Sequence, residues 1–234
     1  MEGKFNLEEF RAIVAALRSE NGCPWDKIQT HESLKSNMVE EAYEVNQAIT
    51  NLTETNDPTN LKEELGDVLL QVVLQSQIAE ENGEFALEDV IDGIARKMIH
   101  RHPHVFGDKH YDSLEEQQAD WDNIKAEEVG HEPKSPQEEL EEVPAAFPAL
   151  MRSEKVMKRA IKHEMVSKDD SQIFRDILST LLELGRALSD SDQADSQKEK
   201  MGKLLLLITQ LSAAHKLNAE MSLTREIEKF IRNR

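Results

Sequence analysis

The sequences EEAYE at residues 40–44 and EELGD at residues 63–67 decide the fold of this chain. In each segment the second and fifth residues are acidic and three positions apart, which places both carboxylates on one face of a helix. Apolar residues recur at helical spacing on another face, which predicts two long amphipathic helices. The acidic pairs are Glu41 with Glu44 and Glu64 with Asp67. The apolar faces contain Met38, Ala42, Val45, Ile49 and Leu52 in the first helix and Leu61, Leu65, Val68, Leu69, Val72 and Val73 in the second.

The two acidic pairs form a candidate metal site. If the helices pack antiparallel, the four carboxylates meet at the edge of the core, where like charges repel strongly in a low-dielectric surrounding. A hard divalent cation relieves this repulsion, and Mg²⁺ prefers oxygen ligands, keeps several waters and is commonly shared with substrate phosphates. The alternative interpretation is a pair of solvated acidic helix faces, which is the usual meaning of a single such pair in an acidic chain. Two matched pairs, each beside an apolar stripe, favour the metal site.

The composition limits the classes of protein that this chain can represent. It has 234 residues, enough for one large or two small domains, and a formal net charge of −18 at pH 7. Most of the excess acid lies in the residues up to Ser135, which argues against non-specific binding to nucleic acid or anionic membranes. The single cysteine, Cys23, excludes an internal disulfide and fits a reducing compartment.

The hydropathy of the chain predicts neither a signal peptide nor a bilayer-spanning segment. Its most apolar run, at residues 204–208, is short and is predicted to be a buried helix segment. We therefore expect a soluble cytoplasmic protein.

Helical patterns fill almost the whole chain and strand patterns are nearly absent, so an all-α fold is predicted. Asp57 and Pro58 introduce the second acidic helix, and Asn82-Gly83 ends it. Four prolines predict a linker at 131–148, which separates a first helical domain at 1–130 from a second at 149–234. Further helices are predicted at about Leu7–Ser19, Leu87–Arg101, Leu114–Val129, Ala149–Glu164, Ile173–Leu188, Lys198–His215 and Leu223–Arg232.

The second half of the chain resembles a weakened copy of the first, although two leucine-rich helices can look alike without a repeat. Glu64-Leu-Gly-Asp67 and the apolar run after it have a counterpart in Lys200-Met-Gly-Lys203 and the leucines that follow. Both acidic ligand positions are lysine in this copy, and a protonated lysine repels Mg²⁺ instead of binding it. We therefore predict two tandem helical bundle repeats, of which the second is degenerate and binds no catalytic metal. The expected partners of these lysines are Glu183 and Glu199.

Several motifs in a specific order connect this chain to a known family. They are Gly22-Cys-Pro-Trp-Asp26, Gln29-Thr-His31-x-Ser-Leu34, the two acidic segments, and Arg101-His-Pro-His-Val-Phe106. Together they closely resemble MazG, a family of nucleoside triphosphate pyrophosphohydrolases in the all-α NTP pyrophosphatase superfamily. The resemblance implies hydrolysis of an NTP or dNTP, including non-standard nucleotides, to a monophosphate and pyrophosphate. It also implies Mg²⁺, with Mn²⁺ as a substitute, held by the two acidic pairs, and a homodimer. A monomer in which the degenerate repeat takes the place of the second copy is the alternative, and the acidic charge predicts no nucleic-acid or membrane partner.

Four residues have candidate roles in substrate binding. Lys97 and Arg101 lie four positions apart on one helix face, and the resemblance implies that they contact the substrate. It also implies that Trp121 and Lys125 belong to the nucleotide pocket, where an aromatic ring can stack on the base. From the residues alone, the two cations equally suit an ordinary helix C-terminus, and Trp121 equally suits packing on the bundle.

Two functions of different class remain open at this point. The first is an Mg²⁺-dependent NTP pyrophosphohydrolase, in which Glu40 or Glu63, free of metal ligation, accepts the proton of the attacking water. The second is a catalytically weak helical protein that binds nucleotides or partners as a regulator. The intact carboxylates of the first repeat favour the enzyme, whereas the lysines of the second repeat are also compatible with a regulator. If the chain is an enzyme, its first repeat must carry the active site.

Overall fold

The structure, a computed structural model, describes residues 3–126, 134–189 and 194–233. Within these ranges the chain forms twelve helices and no strand, which confirms the all-α prediction. The helices are α1 (Leu7–Arg18), α2 (Pro24–Lys27), α3 (Lys35–Thr55), α4 (Thr59–Glu81), α5 (Leu87–Arg101), α6 (Pro103–Phe106), α7 (Leu114–Ala126), α8 (Pro136–Glu141), α9 (Ala149–Lys162), α10 (Asp170–Leu188), α11 (Ala194–Ala214) and α12 (Ala219–Arg232).

The chain divides into two compact units, residues 1–125 and 126–234. In the first unit α3 and α4 form the principal helix pair, and α1 and α5 pack against α4. Only the short connection 56–58 joins α3 to α4, and neighbouring helices with so short a connection run antiparallel. This is the arrangement that brings the two acidic segments together.

Local residues determine where α3 and α4 begin and end. Asn56 adopts a left-handed conformation with φ of 58° and ends α3. The Asp57 carboxylate accepts hydrogen bonds from the Thr59 N–H at 2.9 Å and from the Thr59 hydroxyl at 2.7 Å, which starts α4. Gly83, with φ of 73°, follows α4 in a conformation that glycine adopts without a steric cost. These ends set the register in which α3 faces α4.

The second half of α4 carries the core of the first unit. Every buried residue of α4 lies at or after Gln71, so Glu64 and Asp67 stand at the edge of the core and not within it. Burial of these apolar side chains holds α4 in place and thereby positions the acidic residues one to two turns away. The core cluster consists of Val14, Leu34, Val73, Leu74, Ile78 and Leu87.

The predicted apolar faces are only partly buried in the single chain. Leu65 and Leu69 of α4 are 52% and 43% exposed, and Leu205 and Ile208 of α11 are 46% and 43% exposed. The prediction of a buried segment at 204–208 is therefore wrong for the isolated chain. Apolar periodicity identifies a face that needs covering, but it does not identify what covers it. Among the described helices, none has the length and hydropathy required to cross a membrane.

The second unit includes α8 to α12. In it α11 packs against α9 and α10, while α8 and α12 pack against α9.

Helix α8 lies inside the segment predicted as a linker, 131–148, and the prediction is wrong for Pro136–Glu141. Here the proline occupies the first turn of a helix, where its missing N–H is not needed, and Ser135 forms a capping box with Glu138. Val143, after this helix, is 1% exposed and anchors the segment. The predicted domain end at residue 130 lies outside the described residues.

Candidate active site

Three of the predicted metal ligands come together between α3 and α4. Glu41 of α3 and Glu64 and Asp67 of α4 each offer a carboxylate oxygen, and these oxygens all lie within 4.8 Å of one another. All three side chains are half-buried. We call these three residues the acidic cluster. Its oxygen-only donor set is of the kind that Mg²⁺ prefers.

The acidic cluster is electrostatically unfavourable when no cation is bound. Burial raises the pKa of the Glu41 carboxyl above its ordinary value of 4.5, and the adjacent carboxyls of Glu44 and Asp67 raise it further. A hydrogen bond from Gln71 acts in the opposite direction. A divalent cation would remove the repulsion, so the residues present fit the metal that the site suggests.

Two neutral amides support the acidic cluster, and sequence reasoning missed both. Asn60 donates from Nδ2 to Glu64 Oε1 at 2.7 Å. Gln71 is 5% exposed and donates to Glu41, while its Oε1 has no hydrogen-bond partner among the described residues. A signal was available, because Asn60 stands four residues before Glu64 and Gln71 four residues after Asp67, on the same face of α4. Amides at these positions orient the carboxylates without adding charge.

The remaining predicted carboxylates lie around the acidic cluster. Glu44 is exposed and is not one of the three converging residues, although it contacts Glu41 closely enough to raise its pKa. Glu40 and Glu63, the candidates for proton transfer, are exposed on α3 and α4 beside the cluster in sequence.

Two of the predicted substrate-binding residues also come together. The Arg101 guanidinium carbon lies 5.7 Å from the centroid of the Trp121 ring, which is a cation–π distance. His102 packs edge-on against the same ring, with 5.2 Å between centroids. Lys97 is exposed on α5, one turn before Arg101, and the side chain of Lys125 lies outside the described part of the chain. Arg101, His102 and Trp121 therefore form a basic and aromatic cluster at the end of α5, and the substrate-binding roles of the four predicted residues stay predictions.

A cavity of about 550 Å³ lies beside Trp121 on α7. Its volume falls within the range of small-molecule sites. Leu114 and the polar side chains of Gln117 and Gln118 complete the lining. Gln117 also lies 3.3 Å from His104, from its Nε2 to the His104 Nε2, which ties α7 to the His-Pro-His segment. An apolar wall, an aromatic ring and two amides suit a nucleobase and its ribose.

The Gly-Cys-Pro-Trp-Asp turn is held by one buried arginine. Arg18 donates to the carbonyl oxygens of Asp26 at 2.5 Å and Gln29 at 3.2 Å. The same guanidinium pairs with Glu81 at 2.7 Å, and its side chain is only 6% exposed. Trp25 stays 54% exposed in this turn. The motif is therefore fastened to the C-terminal end of α4, and its tryptophan is left outside the core.

The second unit has no comparable acidic cluster among its described residues. Lys200 pairs with Glu183 at 3.0 Å and lies 3.7 Å from Glu199, as the sequence predicted. The Lys200 hydrogen bond and charge lower the pKa of Glu183. A carboxylate that already has an ammonium partner has little need of a metal ion.

Comparisons with known proteins identify the relatives of this chain. Residues 29–106 match the family described as MazG nucleotide pyrophosphohydrolase domain. The chain is 40% identical over 225 residues to the nucleoside triphosphate pyrophosphohydrolase/pyrophosphatase MazG of Thermotoga maritima, covering 96% of this chain and 82% of that protein. It is 35% identical over 231 residues to the nucleoside triphosphate pyrophosphohydrolase of Escherichia coli K12, covering 97% and 84%. It is also 39% identical to the uncharacterized protein YabN of Bacillus subtilis, of which it spans 44%.

Proposed function

Because this chain belongs to the MazG nucleotide pyrophosphohydrolase family of hydrolases acting on acid anhydrides, we propose that it hydrolyses nucleoside triphosphates in a Mg²⁺-dependent reaction. Water attacks the α-phosphorus, the anhydride bond between the α- and β-phosphates breaks, and the products are a nucleoside monophosphate and pyrophosphate. The family membership agrees with the sequence-based expectation.

The observation that carries this proposal is the convergence of three carboxylate oxygens within 4.8 Å. Glu41, Glu64 and Asp67 would hold the divalent cation, and Glu44, which interacts with Glu41, is the proposed fourth ligand. When bound, Mg²⁺ neutralises charge on the triphosphate and makes a coordinated water more acidic. The raised pKa of Glu41 is consistent with a site that is completed by a cation.

The other residues bind and orient the nucleotide. Arg101 and Lys97 neutralise the phosphates, for which a guanidinium and an ammonium on one helix face are suited. Trp121 offers a ring for stacking against the base, and Lys125 follows it by one helical turn. These four residues determine how firmly the triphosphate is held, while the acidic cluster determines whether it reacts.

The attacking water also needs a base. Glu40 and Glu63 are exposed carboxylates next in sequence to the acidic cluster, so either is able to accept a proton without giving up a metal ligand. Replacing each in turn by glutamine separates them. The variant with the larger loss of kcat and an unchanged metal requirement identifies the base.

One assay tests the proposed function directly. Pyrophosphate release is measured with standard, deoxy and modified triphosphates, in Mg²⁺ and in excess chelator. We expect turnover that stops in chelator and returns with Mg²⁺. Turnover undiminished in chelator would refute the metal site. Tight nucleotide binding without pyrophosphate release from any triphosphate would instead support a regulatory protein.

We further propose that the chain forms a homodimer through its helical faces. Ile49 of α3 and Leu65 and Leu69 of α4 are each exposed by between 43% and 52% in the single chain. Apolar residues at helical spacing on adjoining helices suit coverage by a second copy of the same pair. Sedimentation at micromolar concentration should give twice the chain mass. A monomer under those conditions would show that these faces remain uncovered in solution.

A further inference from the structure

A chain of side-chain amides runs from α3 to Glu64 of the acidic cluster. Gln47 Nε2 lies 2.9 Å from Asn51 Oδ1, Asn51 Nδ2 lies 3.1 Å from Asn60 Oδ1, and Asn60 Nδ2 lies 2.7 Å from Glu64 Oε1. Gln47 and Asn51 belong to α3 and Asn60 to α4, so the contacts cross the helix pair. Asn51 and Asn60 are half-buried, whereas Gln47 is exposed at the far end. We call the three residues the amide chain.

Glu64, at the end of the amide chain, determines which group donates and which accepts in each of its hydrogen bonds. An ionised Glu64 can only accept hydrogen bonds, so Asn60 must turn its NH₂ group toward Glu64 and its carbonyl toward Asn51. Asn51 must then turn its own NH₂ group toward Asn60 and its carbonyl toward Gln47. Reversal of either asparagine would bring two donors or two acceptors face to face. Successive bonds of this kind polarise one another, so the last donor holds Glu64 more firmly than an isolated amide would.

From this geometry we propose that Asn51 and Asn60 are positioning residues, which hold the Glu64 carboxylate in the orientation that binds the divalent cation. The inference rests on the metal site of the proposed function. A carboxylate has about four acceptor positions, so one hydrogen bond leaves Glu64 able to bind a cation. Asn60 also anchors the carboxylate across one helical turn, and Asn51 fixes Asn60 from the opposite helix. Removal of such outer partners commonly weakens metal binding by about 10–100-fold.

The same helix supplies a matched control. Gln77 Nε2 lies 3.1 Å from Glu81 Oε1 with the same four-residue spacing, but Glu81 pairs with Arg18 and lies outside the acidic cluster. Gln77→Met removes an amide from α4 at a distance from the cluster, and Asn60→Leu removes one beside it. Both replacements keep the approximate side-chain size and add no charge. A general effect of losing an amide from α4 would appear in both variants.

The experiment measures Mn²⁺ binding to the full chain without nucleotide, from the electron paramagnetic resonance signal of free Mn²⁺. We expect Asn60→Leu to weaken Mn²⁺ binding about 10-fold or more, Asn51→Leu about 3-fold, and Gln77→Met less than about 2-fold. A second readout is pyrophosphate release as a function of Mn²⁺ concentration. The Mn²⁺ concentration for half-maximal activity should rise by the same factors, while kcat at saturating Mn²⁺ should change much less.

The outcomes separate this inference from the proposed function. Unchanged Mn²⁺ affinity in a folded Asn60→Leu variant would overturn the positioning role and leave the metal site standing. Equal losses in Asn60→Leu and Gln77→Met would overturn it too, because they would indicate a loosened helix. If circular dichroism shows that Asn60→Leu does not fold, Asn51→Leu decides, and unchanged affinity there would overturn the role. A wild-type chain that does not bind Mn²⁺ would refute the metal site, and this inference with it.

Discussion

The helix pairs α3–α4 and α10–α11 arrange their charges in opposite ways. In α3–α4, Glu41 lies among other carboxylates, and burial together with their repulsion raises its pKa. In α10–α11, Lys200 lies 3.0 Å from Glu183, and this bond lowers the pKa of Glu183. The first pair concentrates negative charge that needs a cation from solution. The second pair supplies the neutralising cation as a side chain.

The charges of α3–α4 suit the binding of a cation, whereas the charges of α10–α11 neutralise one another within the folded chain. The ion pair of α10–α11 is partly exposed, with Glu183 44% accessible, so it contributes little to stability, but it removes repulsion without any ligand. The acidic cluster of α3–α4 keeps its repulsion in the absence of a cation. Proteins retain such unfavourable arrangements mainly where function requires them. We therefore propose that the first unit carries catalysis and that the second contributes stability and assembly.

Among the variants that test this comparison, a replacement of Asp67 should have the largest effect on activity. We expect Asp67→Asn to lower kcat/KM by at least about 100-fold, because a metal ion contributes several kcal/mol of charge stabilisation and each 1.36 kcal/mol is tenfold in rate. The fold, followed by circular dichroism, should persist, since the change also removes a repelling charge. The matched control is Asp92→Asn, an exposed aspartate that pairs with Arg96 at 2.6 Å. Equal activity of the two variants would show that the acidic cluster is not the site of reaction.

The carboxylates of the acidic cluster repel one another, so removing one of these charges should stabilise the fold. In chelator, we expect Glu41→Gln to raise the Tm by a few degrees. Two unit charges about 4 Å apart repel by about 1 kcal/mol in water, and that energy shifts the Tm of a domain by roughly 2–8 °C. Gln71 can still donate to the new amide oxygen, so the packing is kept.

The control for this gain is Glu40→Gln, which removes an exposed charge outside the cluster. Scanning calorimetry of both variants in chelator measures the difference, and Glu40→Gln should change the Tm less. A lower Tm for Glu41→Gln than for the wild type would mean that the acidic cluster stabilises the unit without a cation, contrary to the comparison.

The long helices of both units were predictable from sequence because their signals are local, whereas the short helices α2, α6 and α8 were not predicted. The bounds of α5, Leu87–Arg101, follow from its periodicity and from Pro103, and the structure has the same bounds. The convergence of Glu41 with Glu64 and Asp67 followed from the three-residue spacing and the short connection between α3 and α4. The internal repeat, with Lys200 at the position of Glu64, stays a prediction.

Other features depend on how elements face each other, which spacing alone does not determine. Glu44 stands three residues after Glu41 on α3, but it is exposed and is not among the converging residues, so three oxygens converge where four were expected. Asn51 was missed because its contact with Asn60 appears only when α3 and α4 are placed side by side. For Asn60, the four-residue spacing from Glu64 was a sequence signal that went unused. The exposure of Leu65 shows a further limit, since an apolar stripe can face a second molecule as well as a core.

Removing the lysines of the second unit should leave catalysis almost unchanged. We expect Lys200→Ala combined with Lys203→Ala to keep kcat/KM within about twofold of the wild type, because neither lysine belongs to the acidic cluster and the partly exposed ion pair of Lys200 contributes little to stability. Pyrophosphate release and circular dichroism measure the two properties. If the folded double variant lost most of its activity, the lysines would act on substrate, and the assignment of catalysis to the first unit alone would be wrong.

The smallest effect should come from Glu183→Gln, and it should depend on pH. The Lys200 hydrogen bond, with further contributions from the charges of Lys203 and Arg186, holds the pKa of Glu183 below its ordinary value of 4.5. The folded carboxyl therefore binds protons less tightly than the unfolded one, and its stabilising contribution is present above pH 4.5 and lost as the pH falls through the folded pKa. The wild type should have a slightly higher Tm than the variant at neutral pH, and the difference should vanish in acid and shrink in high salt.

Glu41→Gln should change the Tm in the direction opposite to Glu183→Gln at neutral pH. The pKa of Glu41 is raised, so its ionised form is unfavourable in the folded chain at neutral pH. In chelator, the variant should be more stable than the wild type near pH 7. That advantage should disappear as the pH falls through the raised pKa and the wild-type carboxyl gains its proton. Tm profiles of the two variants from acid to neutral pH should therefore diverge from the wild type in opposite directions. If both profiles diverged in the same direction, the Glu41 and Glu183 charges would affect stability alike. The proposed difference between the two helix pairs would then be wrong.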